Sequence, residues 1–135
     1  MTNALAKDLF DRPQACFAFA YSLNLGDLNR ATACFCRDAC LITPDATAVY
    51  GRDRIRPILS QLIARRAEIE VESSTVLTAG DVAMASERWV VRSNGVEGSR
   101  IEQVFNSTLI LKRIEERWKL AIVAPWGWAR RSSPF

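Results

Sequence analysis

The chain has 135 residues, 49% of them apolar and 24% charged, with a net charge of +3, four cysteines and no histidine. That length suits one domain, which buries roughly two-thirds of its unfolded surface, so a core can form without metal or disulfide staples. The weak charge is spread from Arg12 to Arg131 rather than gathered in a stripe, which argues against nucleic-acid binding, and the lack of histidine removes Ser/His and Cys/His nucleophilic pairs and every His-containing metal site.

The first helix is announced by Asp11, Arg12, Pro13 and Gln14, a capping pattern with proline in the first turn. Its body, residues 15–24, carries Cys16, Phe17, Phe19, Ala20, Tyr21 and Leu23 nearly all round, which predicts burial on several sides. Gly26 stops it, and Asp27 caps a short second helix with Leu28, Ala31, Cys34 and Phe35. Residues 38–43 read as a short strand ended by Pro44 and Asp45. A third helix begins near Gly51 or Asp53, with Ile55, Ile58, Leu59, Leu62 and Ile63 on one stripe and Pro57 close to its first turn. After Arg66 the period changes to two. Ile69, Val71, Ser73, Thr75 and Leu77 alternate with more polar neighbours, Gly80 and Asp81 turn, and residues 82–92 return. Asn94-Gly95 signals a hairpin, residues 100–112 follow, Glu115 and Glu116 turn, and residues 118–124 form the last strand.

Helices first and strands afterwards predict an α+β domain, with three N-terminal helices packed on one face of a curved antiparallel sheet around an apolar cavity. The expected bounds are an N-terminal arm (1–10), the domain (11–128) and a mobile tail (129–135). Ile101, Phe105, Leu109 and Leu111 point to one face of their strand, and Val104 and Ile110 to the other. The second face needs a cover too, and the simplest is a second copy of the sheet, so a homodimer is expected. No apolar run nears the ~18 residues that span a bilayer, and the start lacks the charged-then-apolar order of a signal peptide. A cytoplasmic protein without membrane contact is expected, with its cysteines reduced.

Three stretches resemble the nuclear-transport-factor-2-like superfamily and, within it, ketosteroid-isomerase-like (polyketide-cyclase-like) proteins. They are Leu23-Asn24-Leu25-Gly26-Asp27-Leu28 at the helix break, Tyr50-Gly51 with Ile55 at the third helix, and the strands from Asp81 to Arg92 and from Asn106 through Trp118 to Pro125-Trp126-Gly127. The resemblance covers residues 10 to 128 and implies a cone-shaped α+β barrel with a small-molecule pocket. It also implies positions for the isomerase's catalytic groups. The carboxylate base falls at Thr43, before Pro44; the oxyanion tyrosine at Phe19; the neutral aspartic acid within a residue of Ser107. None of the three chemical groups is present, so a standard Δ5-3-ketosteroid isomerase is not expected. What the resemblance leaves open is a lyase, isomerase or hydrolase of unnamed substrate, a pure binder, or a non-catalytic association module or accessory subunit.

The same resemblance puts Arg88 on the concave face, among pocket-lining residues Phe19, Thr43, Leu59, Gln103, Phe105, Ser107 and Leu109. An arginine there would suit an anionic or carbonyl group, so the expected partner is a small apolar or acidic ligand; the other readings are a strand-edge position or an internal pair with Asp45 or Glu102. Trp89 would then face the dimer. Asp45 is the one candidate catalytic carboxylate, against the plainer reading of a turn aspartate after proline. Gln103 and Ser107 could supply polar handles, and Tyr21, Tyr50 and Trp126 could line the rim. Cys34, Cys36 and Cys40 lack the paired spacing of a zinc site and read as core. Arg52, Arg54, Arg56, Arg65 and Arg66 read as a solvated face. Neither metal nor cofactor is expected.

Overall fold

The computed structural model describes residues 15–125. The expected arm, the Asp11–Gln14 cap, the tail with Trp126 and Gly127, and the side chain of Cys16 lie outside the described residues. Helix α1 (Ala15–Leu25) ends in a Schellman turn: Gly26, at φ 77°, donates its N–H to Leu23 O, and Asp27 N–H reaches Ser22 O. Asp27 then caps α2 (Leu28–Ala33) by accepting from Arg30 N–H at 3.1 Å. The helix-break motif thus has a complete physical account. Helix α1 buries Phe19, Ala20 and Leu23 but leaves Phe17, Tyr21 and Leu25 exposed, so it is covered on one side and not on several as its composition suggested.

Strand β1 (Phe35–Ile42) starts three residues earlier than its alternation implied, because α2 ends at Ala33 and Cys34 O at once accepts from Leu120 N–H. A short β2 (Ala48–Tyr50), not foreseen, pairs back on β1. Helix α3 (Arg52–Ala64) buries Ile55 and Leu59, with Ile58, Leu62 and Ile63 partly buried beside them; Pro57 lies in its second turn. Then come β3 (Glu68–Ala79), β4 (Val82–Asn94), β5 (Arg100–Ile114) and β6 (Arg117–Ala124). Glu115 and Glu116 both adopt positive φ in the two-residue turn before β6. The Asn94-Gly95 hairpin is wider than a two-residue turn: Gly95 and Ser99 close a loop that holds a 3₁₀ turn, Val96–Gly98.

The sheet order is β2-β1-β6-β5-β4-β3. It is mixed rather than wholly antiparallel, since β1 runs parallel to β6. This follows from topology: the helix-bearing β1–β2 unit is inserted beside the last strand and not beside its sequence neighbour. The architecture is a cone-shaped α+β fold whose sheet curves without closing, with β2 and β3 as its free edges. Three register shifts, in β1, in β3 between Val71 and Ser73, and in the β5–β6 pair, supply curvature. On the concave face Phe19 and Leu23 of α1, with Ile55 and Leu59 of α3, pack on Phe35, Leu41, Ala83, Ala85, Leu109, Leu111, Leu120 and Val123. The alanines of β4 leave room for the helices, and Phe19 meets Phe35 edge-on at 5.2 Å.

Candidate functional site

Strand pairing assigns each β4 residue to a face. Ala83, Ala85, Glu87 and Trp89 point inward and are buried, whereas Val82, Met84, Ser86 and Arg88 point outward and are exposed. Arg88 is therefore on the convex face, not the concave one. Its side chain is 51% exposed and pairs with Glu72 at 2.8 Å, neither with Asp45 nor with Glu102. Trp89, expected to face outward, is instead 2% exposed beneath the helices. The physical reason is the phase of the strand: the bulky indole and the two alanines must share the face that meets α1 and α3, which leaves the arginine on the other.

The inward position next to Arg88 is Glu87, a carboxylate only 2% exposed. Trp89 Nε1–H donates to its Oε1 at 2.7 Å and Ser74 Oγ–H to its Oε2 at 2.8 Å. Ser74 reaches it because the β3 bulge shifts the phase of that strand: Val71 faces inward opposite Trp89, then Ser74 faces inward opposite Glu87, and Ser73, Thr75 and Leu77 are turned to the convex side. Across on β5, Ser107 is Glu87's register partner, but its hydroxyl donates to Pro125 O at 2.9 Å. Glu87, Ser107, Ser22 and Thr32 are the buried polar side chains among the described residues, and Glu87 alone of them is ionisable. No cation pairs with it among the described residues. Two neutral donors hold a buried carboxyl group in one plane with lone pairs to spare.

This row lies where the sheet changes character. Strand β6 ends at Ala124, opposite Thr108, while β5 extends on to Arg100. Along the concave side of β5, Leu109 and Ser107 are buried, Phe105 is half-buried and Gln103 is exposed. Exposure on this side of β5 thus rises from Ser107 through Phe105, the cross-strand neighbour of Trp89, to Gln103.

The remaining expected site residues separate into three places. Phe19, Leu59 and Leu109 meet in the main core. Ser107, Phe105 and Gln103 follow one another on the concave side of β5. Thr43 sits just beyond β1, where its hydroxyl donates to Asp45 Oδ1; Thr47 N–H donates to the same oxygen at 3.2 Å. These bonds, the Thr43 bond first, hold Asp45 below the usual carboxylate range, and Asp45 is fully exposed. That is the geometry of a turn aspartate, and it makes Asp45 a weaker base. Sequence reasoning missed Glu87 and Ser74. The available signal was Trp89, whose size marks the buried phase of β4.

Elsewhere, burial pushes the Cys34, Cys36 and Cys40 thiols up, and nearby Lys119 and Arg30 draw Cys34 partly back. Among the described residues these three are free and no cluster of metal-ligating side chains occurs. A depression of about 620 Å³ lies between the ends of α1 and α3 and the β4–β5 hairpin, where Arg100 holds Glu68 and Asn94. Another of about 700 Å³ lies at Asp81, Arg113 and Trp118. Neither includes the expected pocket residues. No described helix is long and apolar enough to cross a membrane.

The SnoaL-like domain family matches residues 14–123, and the chain belongs to that family. No protein of curated function matches it. Among solved structures it is similar to a nuclear-transport-factor-2-like superfamily protein of Salmonella enterica, with 13% identity over 98% of this chain and 96% of that one and a TM-score of 0.76. It is also similar to a proposed dehydratase of the same family from Streptomyces avermitilis (17% identity, 82% and 88% covered, TM-score 0.72). A third is a proposed calcium/calmodulin-dependent protein kinase II association domain from Xanthomonas campestris (13% identity, 83% of each chain, TM-score 0.72). At these identities the likeness is one of fold.

Proposed function

We propose that this SnoaL-like domain binds a small, mostly apolar molecule against the concave wall above its core, as an isomerase-like pocket protein without the isomerase's catalytic groups. The observation that carries the reading is the row Ser74, Glu87, Ser107 beneath Trp89 and Phe105: a few oriented polar groups set in an apolar wall, the usual make-up of a small-molecule site. If the domain is catalytic, the chemistry is that of a lyase, isomerase or hydrolase, in keeping with the similar Streptomyces protein's description as a dehydratase. An acidic ligand has no support from Arg88, which lies on the convex face paired with Glu72.

Ligand-observed NMR with small cyclic alcohols and ketones tests this. Binding should be seen with the wild type, lost when Gln103→Trp blocks the exposed end of the wall, and kept in Thr75→Trp on the convex face. Equal binding by both variants would overturn the reading.

A second reading, self-association, draws on the convex face. There Leu77, Met84, Ile110 and Ile122 form one cross-strand row, and all but Ile110 are exposed. Ion pairs of Glu72 with Arg88 and of Arg92 with Glu70 and Glu102 border it. An apolar centre with a charged rim suits a second copy of the same sheet, and the similar Xanthomonas protein is described as an association domain.

A further inference from the structure

We infer that Glu87 is the polar anchor of the concave site, and that it selects ligands carrying an amine or other hydrogen-bond donor over those carrying an acid. The inference rests on the concave-pocket reading and goes further by naming the ligand's polar end. A carboxylate can accept about four hydrogen bonds, and Glu87 takes two, one on each oxygen, from Trp89 and Ser74. Both donors are neutral, and both fix the plane of the group, so its remaining lone pairs have a set direction.

The hydroxyl of Ser107, the register partner of Glu87 on β5, gives its proton to Pro125 O. The arginines of this end of the sheet are spent elsewhere: Arg88 on Glu72, Arg92 on Glu70 and Glu102, Arg100 on Glu68 and Asn94. Arg88 and Arg92 share the convex phase of β4, the opposite face from Glu87. A ligand acid placed beside Glu87 would meet a like charge with no described cation to offset it. A ligand ammonium or hydroxyl would complete the carboxylate's shell while its hydrocarbon part met Trp89 and Phe105. The alternative is that Glu87 only ties β3 to β4 through Ser74 and the indole.

Three probes of one shape separate these ideas: cyclohexylamine, cyclohexanol and cyclohexanecarboxylate, titrated at neutral pH by NMR. The ammonium should bind on the order of ten- to a hundredfold tighter than the carboxylate, as expected for a charge-assisted bond in a buried site. It should also move the Trp89 indole N–H resonance. Glu87→Gln keeps the shape and should remove most of the ammonium's advantage while changing cyclohexanol binding by less than about threefold, since a neutral partner loses little. If Glu87→Gln does not fold, the order of the three probes and the Trp89 resonance decide on the wild type alone. Cyclohexanol binding with no gain for the amine, or the carboxylate binding tightest, would overturn the inference and leave the pocket reading standing. No binding by any of the three would remove both.

Discussion

Asn24 offers the sharpest test of how the concave wall is assembled. It lies in the last turn of α1, exposed on its outer side, yet its side chain behaves as a strand. Nδ2–H donates to Ile69 O at 2.9 Å, and Oδ1 accepts from Ile69 N–H at 2.8 Å. Ile69 opens β3, an edge strand, so these are the backbone groups a further strand would have paired. Each bond contributes about 1 kcal/mol net. Ile69 is 7% exposed, so water replaces them poorly when they are lost. Asn24→Ala should therefore cost about 2 kcal/mol, which for a chain of this size lowers Tm by roughly 6–10 °C. Asn24→Asp is the stricter probe. It keeps size and one acceptor, but its second oxygen faces the Ile69 carbonyl without a proton, so it should lose at least as much as alanine. Urea denaturation with an unchanged m-value measures both. An alanine variant within about 0.5 kcal/mol of wild type, or an aspartate variant as stable as wild type, would refute the clasp as a stabilising contact.

Three further outcomes follow from the same geometry. Trp89→Phe removes one of Glu87's two donors and should cost about 2 kcal/mol, whereas the pair Trp89→Phe with Glu87→Leu should cost less than the two single losses added, because no buried carboxylate is left half-satisfied; additive losses in a double-mutant cycle would count against the contact. Asp45, with its pKa held down by Thr43 and Thr47, adds stability that is present above the ordinary carboxylate pKa of about 4 and lost as pH falls through the lower folded value. Thr43→Val should raise the titration midpoint of Asp45 in a carboxyl-carbon NMR titration, and an unchanged midpoint contradicts the assignment. On the convex face, light scattering should give twice the 15.1 kDa chain mass, and Met84→Glu with Ile122→Glu should halve it; a monomeric wild type at micromolar concentration ends the self-association reading.

Much of the architecture was legible because local signals and global fold agreed. The stripe from Ile55 to Ile63 marked α3, Gly26 and Asp27 marked the break between α1 and α2, and Gly80, Asn94 and Glu115 marked the three hairpins. The resemblance at Leu23–Leu28 pointed to the correct family. What was not legible depended on partners distant in sequence. Phe35 looks like the end of a helix until Leu120 draws Cys34 into a parallel pair. The short β2 is defined by its register on β1 and not by its own composition. The apolar flank of α1 marked by Phe17, Tyr21 and Leu25 could not be told from its core flank, since both are equally hydrophobic.

The site itself turned on strand phase, the quantity a sequence states least clearly. Both faces of β4 carry one ionisable side chain at the same height, Glu87 on one and Arg88 on the other, and a one-residue slip exchanges them. Chemically the two choices are opposites: an inward arginine recruits acids, and an inward glutamate repels them. The phase is set by Ala83, Ala85 and Trp89, because only that set gives the helices two shallow positions and buries the indole. The bulge between Val71 and Ser73 then supplies matching partners on β3, turning Ser74 inward to Glu87 and leaving Glu72 outward for Arg88. One extra residue in an edge strand thus gives each of the two side chains a partner on β3. The sign of the concave wall is a consequence of packing beneath the helices, and the preference proposed for amines over acids stands or falls with it.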